Sequence, residues 1–216
     1  MQTPYRTLLF DLDGTITDSF PGIVNSICYA LSSFGIQVEE RESLRPFLGP
    51  PLLASFMKYY GFDEAKANQA LEKYREYFSE KGIFENSVYP GMAELLAGCQ
   101  KAGYRVILST AKPEVYARRI LDHFGLTPCF DAVCGATLDG AVSTKAQVIG
   151  LALRTCASPD GAVMIGDRSD DILGAKSHGI PSIGVLYGYG TRQELAEAGA
   201  GAIACDVSAL RALLLG

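Results

Sequence analysis

Leu8-Leu9-Phe10-Asp11-Leu12-Asp13-Gly14-Thr15 is the stretch on which the fold turns. A short apolar run ends in two carboxylates two residues apart, then a glycine. Such runs read as buried strands of a parallel sheet. Open α/β sheets bind ligands beyond the carboxyl ends of their strands. In extended backbone, residues i and i+2 share a face, and Gly14 permits a sharp turn just after them. Asp11 and Asp13 can therefore converge on one point. The segment alone also fits an acidic turn closing a strand, because Asp-Gly is common turn chemistry.

Downstream, residues 20–85 read as almost wholly helical. Ile23, Val24, Ile27, Cys28, Leu31 and Phe34 repeat at helical spacing and end at Gly35. Leu52, Leu53, Phe56, Met57 and Tyr60 form a second stripe closed by Gly61, and Ala70, Leu71, Tyr74, Tyr77 and Phe78 a third stopped by Gly82. Arg45-Pro46-Phe47-Leu48-Gly49-Pro50-Pro51 is rich in breakers and reads as a loop.

From Tyr89-Pro90-Gly91 the texture alternates between strand and helix. Strands are expected at residues 105–108, 130–134, 162–165 and 180–186, with a weak one near Ala202-Ile203. Helices are expected at 92–102, 113–124, 144–155 and 170–178, and from Val207 onward, with a short one before the weak strand. Pro113 suits the first turn of its helix. Alternation of this kind implies parallel βαβ units. The fold class is thus α/β: a doubly wound parallel sheet from residues 1–17 and 86–216, with residues 18–85 inserted as an all-helical cap.

The 216 residues carry a net charge of −5; 48% are hydrophobic and 20% charged. That is ordinary globular composition. The absence of a basic cluster argues against a nucleic-acid polymer as partner, since its backbone is gripped by Lys and Arg. A small anionic substrate stays compatible, because a bound metal overrides the global field locally. The six cysteines (Cys28, Cys99, Cys129, Cys134, Cys156 and Cys205) include no C-x-x-C pair. They read as buried free thiols in a reducing cytoplasm. No apolar run reaches the ~20 residues of a membrane span, and Met1-Gln2-Thr3-Pro4-Tyr5-Arg6 shows no signal-peptide pattern. The expectation is a cytoplasmic monomer or homodimer with no membrane partner.

Three apolar strands end in polar residues: Asp11 and Asp13, Ser109 and Thr110, Gly166 and Asp167. In one sheet these ends share an edge. Lys145 opens a helix and can reach the same edge; alone it would read as a solvated surface residue. Asp11, Asp13, Asp167 and Asp171 form a dense carboxylate cluster, although acidic residues also cap helix N-termini. Two like charges about 4 Å apart repel by about 4 kcal/mol at an effective dielectric of about 20. An all-oxygen set without paired His or Cys suits Mg²⁺, which also pairs with phosphate oxygens. Asp11 can then attack phosphorus to give an aspartyl phosphate, with Mg²⁺ and Lys145 offsetting the repulsion. Asp13 can protonate the leaving oxygen and later deprotonate water. Thr110 and the following helix N-terminus can hold phosphate oxygens, or Thr110 can simply cap the helix.

In that order, Asp11-Leu12-Asp13-Gly14-Thr15, Ser109-Thr110-Ala111-Lys112-Pro113, Lys145 and Gly166-Asp167-Arg168-Ser169-Asp170-Asp171 resemble the four motifs of haloacid dehalogenase superfamily phosphatases. The helical insert resembles the cap of the phosphoglycolate phosphatase-like branch. Within it, Arg45 to Pro51, Lys112-Pro113-Glu114 and Gly188-Tyr189-Gly190 are most similar to bacterial 5′-nucleotidases and phosphoglycolate phosphatases. The resemblance implies a Rossmann-like core acting on small phosphomonoesters with Mg²⁺. It makes Asp11 nucleophile and metal ligand, and Asp13 the acid/base. It also implies that the Asp13 carbonyl and Asp167 bind metal, that Asp171 completes or orients that shell, and that Thr110 and Lys145 bind the phosphoryl group. Relatives often carry Asn where this chain has Ala111, leaving only its backbone N–H for the substrate.

Arg168, where relatives often carry Ser, either salt-bridges outward, the favoured reading, or reaches substrate. Arg45 and Gly49 are the candidates for facing the leaving group, although Pro50 also suits a helix start. Tyr74 and Tyr77 read as helical core, and Tyr89 as a residue able to stack on a base. His123 and His178 read as helix residues without catalytic duty. A phosphosugar mutase and a pyrophosphatase of the same superfamily are the alternatives.

Overall fold

The computed structural model describes residues 5–156 and 161–216. Met1-Gln2-Thr3-Pro4, part of the segment read above for a signal peptide, lies outside them. The chain divides into two compact units: residues 1–18 with 88–216, and residues 19–87.

In the first unit the elements are β1 (Thr7–Phe10), β2 (Thr17–Asp18), then, after the helical unit, β3 (Ser87–Val88) at the return. The helical unit between them holds α1 (Phe20–Ser32), α2 (Leu52–Tyr60) and α3 (Glu64–Glu80). The core unit continues with α4 (Met92–Lys101), β4 (Arg105–Pro113), α5 (Glu114–His123), β5 (Ala132–Ala136), α6 (Lys145–Arg154) and β6 (Ala162–Gly166). It closes with α7 (Ser169–Ser177), β7 (Ser182–Val185), α8 (Arg192–Ala198), β8 (Ala202–Ala204) and α9 (Val207–Leu215).

The six-stranded sheet has the order β5-β4-β1-β6-β7-β8, and all its pairings are parallel. Strand β1 lies in the middle of the sheet between β4 and β6, and its Leu8, Leu9 and Phe10 are fully buried. Each such side chain contributes about 1.5–3 kcal/mol when buried. From β1 the chain winds outward to β4 and β5, then returns to β1's other side for β6, β7 and β8. The carboxyl ends of β1, β4 and β6 therefore meet where the winding reverses, the place where open α/β sheets bind ligands.

Boundaries depart from the sequence reading in physical ways. Strand β4 runs through Pro113 with an irregular register between Thr110 and Pro113. Lys112 precedes a proline and is disfavoured in the helical region, so α5 starts one residue later than expected. Strand β5 begins at Ala132 rather than residue 130, because Thr127–Cys129 closes a 3-10 turn and the Asp131 side chain accepts the Val106 N–H at 2.8 Å.

In the helical unit, α3 is capped by Asp63, which accepts the Lys66 N–H at 2.8 Å, and α2 ends at left-handed Gly61. The segment read as a loop starts inside a 3-10 turn, Arg41–Phe47, which buries Leu44 and Phe47. Tyr74 stacks on Phe78 and Tyr77 lies against Tyr29. All six cysteines are free thiols. Only Cys99 and Cys134 are buried, while Cys205 is exposed, so burial of the thiols is narrower than expected. Among the described residues no helix is long and apolar enough to cross a membrane.

Candidate active site

Asp11 follows β1 directly, and its N–H extends the ladder by donating to Ile165 at 2.9 Å. The chain then turns tightly: the N–H groups of Ile16 and Thr17 both donate to the Leu12 carbonyl, and Gly14 donates to Thr17. Gly14 has a φ of 84°, and a Cβ there would overlap the Asp167 carboxylate. Glycine is required both for the backbone angle and for that approach.

Asp167, one residue beyond β6, and Asp171, in the first turn of α7, are fully buried beside Asp11. One carboxylate oxygen from each of the three lies within 4.8 Å of the others. Lys145, the first residue of α6, is aimed at them by a capping box between Thr144 and Gln147. Its Nζ lies 2.6 Å from Asp11 Oδ1, 2.8 Å from Asp171 Oδ1, and donates to the Ser109 carbonyl at 3.2 Å. The two carboxylate contacts are buried ion pairs. Asp167 accepts the Tyr189 N–H at 2.8 Å and the Thr15 hydroxyl at 3.3 Å. Asp171 Oδ2 accepts the Arg168 N–H at 3.0 Å.

Burial pushes the Asp11 carboxyl up to about 6, against the pull of Lys145, with Asp171 and Asp13 adding to the rise. Burial also raises Asp167 well above the carboxylate range, reinforced by Asp171 and Asp11. Burial opposes the charge on Lys145, but Asp11 and Asp171 outweigh it and hold the ammonium above its usual range. When all three are ionised, the carboxylates outnumber the one ammonium in a water-poor place, which is why burial and mutual repulsion raise Asp11 and Asp167. A buried all-oxygen triad with that excess, and Asp13 Oδ1 buried nearby in sequence without a hydrogen-bond partner, fits a hard divalent cation. Asp11, Asp167 and Asp171 are the residues able to hold it.

Thr110 is buried, and its hydroxyl accepts the Lys112 N–H at 3.2 Å, which shapes the bulged end of β4. Ala111 follows it in that bulge. Lys112 had no role in the sequence reading. Its Nζ lies 2.7 Å from Asp13 Oδ2, and its side chain is only 5% exposed. The available signal was a lone lysine at the end of an apolar strand, whereas Lys145 was marked by its place at the start of a helix. Arg168 pairs with Glu194 at 2.9 Å, the outward option. Arg45 and Gly49 belong to the helical unit. There Arg45 pairs with Glu42 and lies over the Phe20 ring, while Gly49 has a φ of 103°. His178 contacts the Ala146 carbonyl at 2.7 Å, and His123 packs on Phe124. Tyr89 meets Tyr187 edge-on.

Known proteins match this geometry. The model of the family described as haloacid dehalogenase-like hydrolase matches residues 8–185. A 5′-nucleotidase of Pseudomonas aeruginosa is 42% identical over 97% of this chain and 96% of its own length. Tyrosine-protein kinase PtkA of Mycobacterium tuberculosis is 41% identical over 86% of this chain, which spans 63% of that protein. A crystal structure of a "predicted phosphatase" from Clostridium acetobutylicum superposes with a TM-score of 0.95 at 48% identity, covering 99% of both chains.

Proposed function

The chain belongs to the haloacid dehalogenase-like hydrolase family, and on that premise we propose that it is a Mg²⁺-dependent phosphatase of small phosphomonoesters, 5′-nucleotides and phosphoglycolate first among them. The observation that carries this reading is the buried Asp11–Asp167–Asp171 triad bridged by Lys145, with Asp13 two residues from Asp11.

The Asp11 carboxylate attacks phosphorus, forming the aspartyl phosphate as the bond to the leaving oxygen breaks. Asp13 delivers a proton to that oxygen. It then takes one from the water that attacks the aspartyl phosphate, returning Asp11 and releasing inorganic phosphate. Lys145 holds one phosphoryl oxygen, and Thr110 with the Ala111 N–H holds others. Lys112 keeps Asp13 oriented. Mg²⁺ at Asp11, Asp167 and the Asp13 carbonyl, with Asp171 completing or orienting the shell, would neutralise charge between nucleophile and phosphate. The helical unit supplies selection of the leaving group, with Arg45 and Gly49 as its candidate residues.

The test is phosphate release from 5′-nucleotides, phosphoglycolate, sugar phosphates and pyrophosphate, with and without Mg²⁺, beside Asp11→Asn. Release that needs Mg²⁺ and vanishes in the variant supports the reading. Interconversion of sugar phosphates without release identifies a mutase. Release persisting in Asp11→Asn removes the nucleophile assignment.

A further inference from the structure

Gly188-Tyr189-Gly190 follows β7, and the reaction above uses none of it. The segment folds tightly against Asp167. A Cβ on Gly188 would overlap the Gly14 carbonyl and the Asp167 side chain, and one on Gly190 would overlap the Asp167 carbonyl. Only a backbone without side chains approaches a carboxylate so closely. The Tyr189 N–H donates to Asp167 Oδ2 at 2.8 Å. Its hydroxyl, at the other end of the residue, donates to Asp18 Oδ1 at 3.1 Å. Asp18 is the last residue of the core unit before the chain passes into the helical unit. Beside it, the Tyr187 hydroxyl donates to the Thr15 carbonyl at 3.1 Å, and the Thr15 hydroxyl donates to Asp167 Oδ1. Both oxygens of Asp167 are thus held by residues that hydrogen bonds tie across the 15–18 turn and the 187–189 segment.

We infer that Tyr189 is a positioning residue for the cation site: its hydroxyl bond to Asp18 fixes the backbone N–H that orients Asp167. This rests on the cation reading proposed above. A carboxylate held in one orientation by an outer partner meets a cation without reorganising, and loss of such partners typically weakens metal binding about 10- to 100-fold. By linkage, whatever the Tyr189–Asp18 bond adds to cation binding, the cation adds to that bond. The affinity of the core unit for its cation then depends on a contact at the exit toward the helical unit.

The experiment is calorimetric titration of the full chain with Mg²⁺ alone, no substrate present, on wild type, Tyr189→Phe, Asp18→Ala and the double variant. Tyr189→Phe removes only the hydroxyl and keeps the backbone N–H. The expected result is about a tenfold loss of Mg²⁺ affinity in each single variant. The losses should be less than additive in the double variant, because both singles break the same bond. In turnover, the Mg²⁺ needed for half-maximal rate should rise while kcat at saturating Mg²⁺ is retained. Wild-type affinity in Tyr189→Phe, or losses that add in the double variant, overturns the inference and leaves the proposed phosphatase untouched. Should one variant fail to fold by circular dichroism, the other decides alone by the same criterion. A wild-type chain that takes up no Mg²⁺ removes the proposed cation, and this inference with it.

Discussion

At the carboxyl edge of the core sheet, charges are buried side by side; in the helical unit the buried side chains are mainly aliphatic groups and rings, and the ion pairs lie in solvent. The Lys145 side chain is 6% exposed against Asp11 and Asp171, whereas the Arg45–Glu42 pair of the helical unit is 52% and 64% exposed. Lys73–Glu76 is likewise exposed. Around Phe47, Phe56 and Phe62 the helical unit instead packs ring on ring, with centroids 5.5 Å apart for Phe47 and Phe56 and 6.2 Å for Phe56 and Phe62. The difference is one of tolerance. Rings need only volume and apolarity, whereas buried charges need a partner at every step.

The largest expected effect breaks the core side of this contrast. Asp11→Asn should lower phosphate release by at least about 1,000-fold, because the neutral amide cannot attack. Its melting temperature without Mg²⁺ should not fall, since one buried like charge beside Asp171 is removed. Lys145→Met, by contrast, leaves carboxylates buried without their cation. It should destabilise the metal-free protein by about 3–5 kcal/mol in denaturant titration, and Mg²⁺ should recover part of that loss. In the helical unit, Phe56→Ala should cost a similar 3–5 kcal/mol or so through its cavity, but Mg²⁺ should restore none of it. That differential response to Mg²⁺ sharpens the comparison.

A pH series probes the same edge more gently. Asp11 titrates near 6 in the fold and near its ordinary 3.8 when unfolded. Between those values the folded state binds more protons, so stability without Mg²⁺ falls as pH rises from about 4 to 6. Added Mg²⁺ should oppose the fall, and its upward shift of the melting temperature should be larger at pH 7.5 than at pH 5. The smallest effect belongs to the exposed pairs: Lys73→Ala should leave the melting temperature essentially unchanged.

Much of the core was legible in the sequence because its strands are continuous apolar runs that end in polar residues. Leu8 to Phe10 could be buried on both faces only in a parallel sheet, and that placed Asp11 at the ligand-binding edge. Asp167 was legible as a carboxylate at a strand end, and Asp171 and Lys145 as charged residues in the first turns of helices. The role of Lys112 was not legible, because it depends on Asp13, 99 residues away in the chain. The end of β4 and the start of β5 shifted because a residue before proline, a 3-10 turn and the Asp131 side chain set them, and these act on backbone rather than on periodicity.

What the sequence determined by itself follows from short-range rules: apolar period sets element type, glycine sets turns, and the order of elements sets the winding. The pairing of Lys112 with Asp13 spans 99 residues and that of Tyr189 with Asp18 spans 171. Only the tertiary structure decided those pairings, because which charge meets which across a sheet edge depends on strand order, register and the reach of each side chain, none of which local composition encodes.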